Sequence, residues 1–143
     1  MACLLAGRVS DAFPHGGNPV RAVQQVRVTD LDALGHLSSP RLIELLINAH
    51  CQLLTPAGWV IRRQDIYYQR PVTAEIRHIA VHTTGTRTGR ASLTLQSTIT
   101  HPDAPDILYL ESTTVWVHTD PGSGQPVPVA GAVTGPLDLP APA

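Results

Sequence analysis

From Thr29 to His50 the chain reads TDLDALGHLSSPRLIELLINAH. Two carboxylates, Asp30 and Asp32, precede a Gly35-His36 pair, a Ser38-Ser39-Pro40 step and a strongly apolar run. A carboxylate at the mouth of a helix suits either of two tasks. It can serve as base or nucleophile at an electrophilic carbon, beside backbone N–H groups that a first helical turn leaves unpaired. It can also simply cap the helix or close a turn, as Asp and Ser commonly do. Choosing between the two depends on what surrounds the stretch.

The elements that must position these residues are legible as periodicities. VRAVQQVRVTD, ahead of the motif, alternates apolar and polar residues and predicts a strand. Ser39 is the expected N-cap of the following helix, with Pro40 at its first position, where the missing N–H costs nothing. Leu42, Ile43, Leu45, Leu46, Ile47, Ala49, Leu53 and Leu54 then cover most of the circumference, and Arg41, Glu44, Asn48 and Gln52 leave a narrow polar stripe. Such a helix is expected to be buried. Four β-type segments follow: WVIRRQDIYYQRPV, AEIRHIAVHTTGTR, RASLTLQSTITHP and DILYLESTTVWVHTD, with Gly, Pro or Asp at their boundaries. The expectation is an α+β fold, in which one strand, one long buried helix and a four-strand antiparallel meander make a five-stranded sheet wrapped around the helix.

Length and composition bound what this unit can do. At 143 residues it is expected to be one domain, with an arm over 1–19, a body over 20–129 and a Pro/Ala-rich tail over 130–143 whose order fades beyond about Val129. Ten basic against eleven acidic residues give a net charge of −1, which implies no general attraction to nucleic acid or to an acidic membrane. Every basic residue is Arg, a bias that a GC-rich genome explains ahead of phosphate binding. Cys3 and Cys51 make no disulfide framework, ACLLAG is too short for a secretory h-region, and no membrane span is present, so a cytoplasmic protein is expected. His78 and His82 lie four apart on a predicted strand, too far to share an ion, and no metal site is expected. Zinc, P-loop and serine-hydrolase motifs are absent.

VTDLDALGHLSSPRLIELL resembles the opening motif of hotdog-fold acyl-CoA thioesterases of the 4-hydroxybenzoyl-CoA thioesterase type, Asp-x-Asp-x-x-Gly-His-Val-Asn-Asn-x-x-Tyr. IYYQRPV, TGTRTGRASLTL and the exit TTVWVHTDPGSGQPVPV fall where that family has its later strands, so the resemblance runs from about residue 22 to 129. Leu37-Ser38-Ser39 replaces Val-Asn-Asn, Leu42 stands at the Tyr position, and Ile47 and His50 replace a frequent Glu and Arg. The resemblance implies hydrolysis of a thioester. Asp32 would be nucleophile or general base, the Ser39 N–H at the helix start an oxyanion donor, Gly35 a point of close backbone approach, and His36 a residue orienting substrate or Asp32 or bonded to backbone. It further implies coenzyme A phosphates near Arg87, Arg90 and Ser92, with Arg62, Arg63 and Arg70 weaker candidates. Coenzyme A would be part of the substrate, with no separate cofactor, and the protein a homodimer or homotetramer with sites at the seam. Asp30 and His50 are expected to be structural, and Glu44 and Asn48 to lie at the dimer seam. The competing expectations are an acyl-carrier-protein thioesterase and a non-catalytic acyl-CoA-binding protein. Hotdog dehydratase motifs are missing.

Overall fold

The computed structural model describes residues 18–134, 137, 139 and 140. Most of the expected N-terminal arm, with Cys3, and part of the C-terminal tail lie outside the described residues. The elements run β1 (Val20–Gln25), a single 3-10 turn (Val28–Asp30), α1 (Ser39–Cys51), β2 (Trp59–Tyr68), β3 (His78–Thr88), β4 (Ser92–His101) and β5 (Ala104–His118). All five strands join one antiparallel sheet in the order β1-β3-β4-β5-β2.

This order corrects the expected four-strand meander. Consecutive pairing holds only for β3, β4 and β5, whereas β2 sits at the far edge against β5, from Trp59↔His118 to Tyr68↔Leu110. The segment between β2 and β3 contains Pro71 and no tight hairpin turn, so the chain leaves one edge of the sheet and re-enters beside β1. Among the described residues both edges, β1 and β2, keep an unpaired side.

Alternation along the strands decides what faces α1. Ile79 and Val81 of β3, Leu95 and Ile99 of β4, and Leu110 of β5 are completely buried, and Leu42, Leu45, Leu46 and Ala49 of α1 supply the other side of the core. The helix is less enclosed than its apolar run suggests. Ile43 and Ile47 are half-buried, and Glu44, Asn48 and Cys51 are exposed.

A polar network centred on His50 runs through the core. The Trp116 indole N–H can only donate, and it donates to His50 Nδ1 at 3.1 Å, so the ring proton of neutral His50 sits on Nε2. Nε2–H therefore donates to Ser97 Oγ at 2.8 Å, and Ser97 meets the Thr83 hydroxyl at 2.9 Å. Burial lowers the His50 pKa to about 4, keeping the ring neutral at ordinary pH. The expectation that His50 is a packed, hydrogen-bonded core residue matches this geometry.

After β5 the chain turns at Asp120–Gln125 and runs back over the β3–β4 hairpin. Val129 N–H donates to the Arg90 carbonyl (2.9 Å), Thr55 N–H to Ala132 (2.9 Å) and Thr134 N–H to Leu53 (2.7 Å). Val129, Ala132 and Leu137 are buried, and Leu137 packs with Leu53, Leu54, Leu93, Leu95 and Trp116. Scattered apolar residues of a Pro/Gly-rich segment thus cover the open end of the core.

Candidate active site

The loop between the 3-10 turn and α1 is built by its two aspartates in different ways. Asp30 is buried and receives the Arg27 backbone N–H at 2.8 Å and the Arg27 guanidinium at 3.2 Å. Arg41, in the first turn of α1, reaches back to the same carboxylate at 3.0 Å and also pairs with Glu44 at 2.8 Å. Burial alone would raise the Asp30 pKa, but the Arg27 hydrogen bonds and the charges of Arg41 and Arg27 outweigh it and hold the group below the usual range. The Asp30 carbonyl also takes the Ser38 N–H at 2.9 Å. Asp30 thus fastens the loop to the helix start.

Asp32 is exposed and is held by backbone only. Its Oδ1 accepts from Leu34 N–H (2.9 Å) and His36 N–H (3.1 Å), while its own N–H donates to the His36 carbonyl (2.7 Å). Both side-chain bonds fall on Oδ1, so among the described residues Oδ2 has no partner. Gly35 closes this turn at φ +77°, and no atom lies within 4 Å of where a Cβ would stand. The glycine answers to its left-handed backbone, not to a close neighbour.

The helix is capped one residue earlier than expected. Ser38 Oγ accepts from Arg41 N–H at 3.3 Å, which places Ser39 and Pro40 in the first turn. Two adjacent serines carry the same capping signal, and backbone geometry decides between them. As a result the Ser39 N–H precedes the first intrahelical bond and meets no acceptor among the described residues. Pro40 has no N–H to offer.

These groups share one cavity of about 340 Å³. Asp32, His36 and Ser39 line it with Leu42 of α1 and the run Tyr68 to Val72 that ends β2. One end therefore presents a carboxylate and a helix N-terminus, and the other walls mix the apolar Leu37, Leu42, Pro71 and Val72 with Gln69 and Arg70. The contributions of Gln69 and Pro71 were not singled out from sequence. Their signal was the RPV break after a strand, which reads as a boundary and not as a wall. The Arg41–Asp30 pair was also missed, because Arg41 fits a plain polar stripe.

Arg87, Arg90 and Ser92 are not brought to this cavity within one chain. They sit at the β3–β4 hairpin, where Ser92 pairs with Val117 near the start of β2, whereas Asp32 and Tyr68 lie at its other end. Along the strand direction the two places are on the order of 25 Å apart.

No protein-family model matches the chain, and no curated protein matches it. Solved structures do. A thioesterase from Thermus thermophilus, complexed with coenzyme A and Zn, is 25% identical, with a TM-score of 0.68 over 81% of this chain and 94% of that one. A predicted thioesterase from Bacillus stearothermophilus is 24% identical (TM-score 0.65, 77% and 86% covered). A 1,4-dihydroxy-2-naphthoyl-CoA thioesterase from Synechocystis is 13% identical (TM-score 0.62, 78% and 89% covered). The five-stranded antiparallel sheet with its single helix is thus the hotdog-type arrangement of these thioesterases, as the sequence resemblance implied.

Proposed function

We propose that this protein is an acyl-CoA thioesterase whose chemistry is carried by Asp32 and the N-terminus of α1. The observation that supports this most directly is the meeting, in one cavity, of a carboxylate oxygen and a helix-start N–H that both lack a partner among the described residues. In the proposed reaction Asp32 Oδ2 attacks the thioester carbonyl or takes a proton from an attacking water, and the Ser39 N–H donates to the developing oxyanion. Collapse of the tetrahedral intermediate breaks the C–S bond and releases the coenzyme A thiol, and on the first route water then hydrolyses the Asp32 anhydride. The positive end of the helix dipole favours the same charge. Leu37, Leu42 and Val72 would keep water from the acyl group, and His36 would hold the turn through its backbone while its ring faces substrate.

The body of the fold would be a hotdog sheet wrapped around α1, completed by a second copy. Among the described residues β2 keeps one side unpaired, and Val60, Ile61 and Tyr67 on it are exposed. Two-fold antiparallel pairing of β2 with its copy would bring the partner's β3–β4 hairpin to the Asp32 end. Arg87, Arg90 and Ser92 would then contact coenzyme A phosphates across the seam. Among the described residues no helix is long and apolar enough to cross a membrane.

Hydrolysis of an acyl-CoA panel, from short to long and aromatic, tests the reading by thiol release, with an enzyme blank because Cys51 is exposed. Turnover of at least one ester above the blank is the expected result. Binding of acyl-CoA without any turnover would overturn it.

A further inference from the structure

The residues of β2 fix how two copies would meet along its open side, and through that which partner residue reaches the Asp32 cavity. Gln69 N–H donates to the Tyr109 carbonyl at 2.8 Å, and bonding along an antiparallel pair alternates. Tyr67, Asp65 and Arg63 therefore turn their backbone groups to β5, and Tyr68, Ile66 and Gln64 turn theirs to the open side. Pairing with β5 also sorts the side chains. Gln64, Ile66 and Tyr68 oppose Thr114, Ser112 and Leu110, and Ile61 opposes Trp116, on the face toward α1. Trp59 lies on that face as well, packed with Leu53, Leu54 and Trp116. Val60, Arg63, Asp65 and Tyr67 lie on the other face. The alternation slips by one at Arg62, the bulged residue between Ile61 and Arg63.

A two-fold axis through Gln64 satisfies these constraints together. Arg63 then opposes the partner's Asp65. Because Arg63 Nε already lies 3.0 Å from Asp65 Oδ2 of its own strand, the four charges alternate in sign around the axis. With Arg62 bulged out, Ile66 meets the partner's Ile61, Tyr67 the partner's Val60 and Tyr68 the partner's Trp59, apolar against apolar on matching faces. Val60 (51% exposed), Tyr67 (65%) and Tyr68 (51%) are covered in this way. Moving the axis to Arg63 or to Asp65 keeps the faces matched but sets like charges opposite each other. We propose that the seam is registered on Gln64, and that the partner's Trp59, beside Tyr68, forms a wall of the Asp32 cavity that Tyr68 lines. The indole is fixed by its N–H bond to Thr55 Oγ1 (3.2 Å) and by the His118 ring, whose centroid is 4.8 Å away, so the acyl group meets a rigid aromatic surface. The inference rests on the edge pairing proposed above and not on hydrolysis.

Cysteine cross-linking in a Cys3→Ser/Cys51→Ser background tests it. Gln64→Cys should link two chains by a disulfide, its Cα atoms being about 5.5 Å apart across the axis. Arg63→Cys and Asp65→Cys should link roughly tenfold more slowly, since each stands diagonal to its own copy at about 7–8 Å. Val60→Cys/Tyr67→Cys, at two exposed positions on the order of 20 Å apart within one chain, should also link chain to chain. A nitroxide on Tyr68→Cys should quench Trp59 fluorescence, and adding Trp59→Phe should remove the quenched component. A monomeric wild type would overturn the edge pairing and the register with it. A dimer that links faster through Arg63→Cys or Asp65→Cys than through Gln64→Cys, or whose nitroxide leaves Trp59 fluorescence unchanged, would overturn the register alone. None of these readouts requires turnover, so a failure of the hydrolysis assay is separate from a failure of the seam.

Discussion

The two ends of α1 handle the same residue types in opposite ways. At the C-terminal end His50 is enclosed and both ring nitrogens are bonded, to Trp116 and Ser97. At the N-terminal end the His36 ring lines a cavity, and Asp32 beside it keeps one carboxylate oxygen free. Asp30, two residues earlier, belongs with His50 in character, being buried and paired with Arg27 and Arg41. A satisfied polar group holds the fold, whereas one left half-satisfied at a cavity is available to a substrate. That difference separates structural from chemical roles where residue type alone does not.

The contrast can be broken at its structural members first, where the effects on stability are largest. His50 has a folded pKa of about 4 against an unfolded 6.5, so the unfolded chain takes up a proton that the folded chain refuses. Stability should therefore fall by about 3 kcal/mol as pH drops from about 6.5 to about 4. Urea unfolding at a series of pH values measures this, and His50→Gln should remove that component of the slope. Asp30→Ala should cost a comparable amount, about 3 kcal/mol, because it removes the buried carboxylate that ties Arg27 and Arg41 together and leaves Arg41 only the exposed Glu44. The depressed Asp30 pKa acts in a different window. Its stabilisation is full above about pH 4 and is lost as pH falls through the folded value, below the range in which His50 acts. Ser38→Ala should cost about 1 kcal/mol through the lost cap, and Ser39→Ala much less, since only Ser38 accepts from Arg41. Thermal melts of the two variants side by side resolve that difference.

Local signals made most elements of this fold legible. Alternating β-branched and aromatic residues marked all five strands, and the Ser-Ser-Pro entry marked the start of α1 within one residue, whereas its end falls at Cys51, before the Leu53 and Leu54 expected to belong to it. Pairing was not local and was not legible. That β2 joins β5 and not β3 depends on how the Pro71 segment crosses the end of the sheet, which no periodicity encodes. The packing of the tail was not legible either: within a Pro-, Gly- and Ala-rich segment, Val129, Ala132 and Leu137 each find a place on the core, and no local periodicity marks them. At the candidate site, motif spacing singled out Asp32, Gly35, His36 and Ser39, and these do share one loop or one cavity. The hairpin arginines lie at the other end of the chain's sheet, and sequence has no means of showing that distance.

The central claim is that Asp32, and not Asp30, performs chemistry at the start of α1. Its most direct test is steady-state hydrolysis of the best acyl-CoA ester by wild type and Asp32→Asn, with a thermal melt of each. Asn keeps an oxygen to accept from Leu34 and His36, so the turn and the melting temperature should be retained. Loss of the carboxylate should lower kcat on the order of a thousandfold. An unchanged kcat in a correctly folded Asp32→Asn protein would contradict the account.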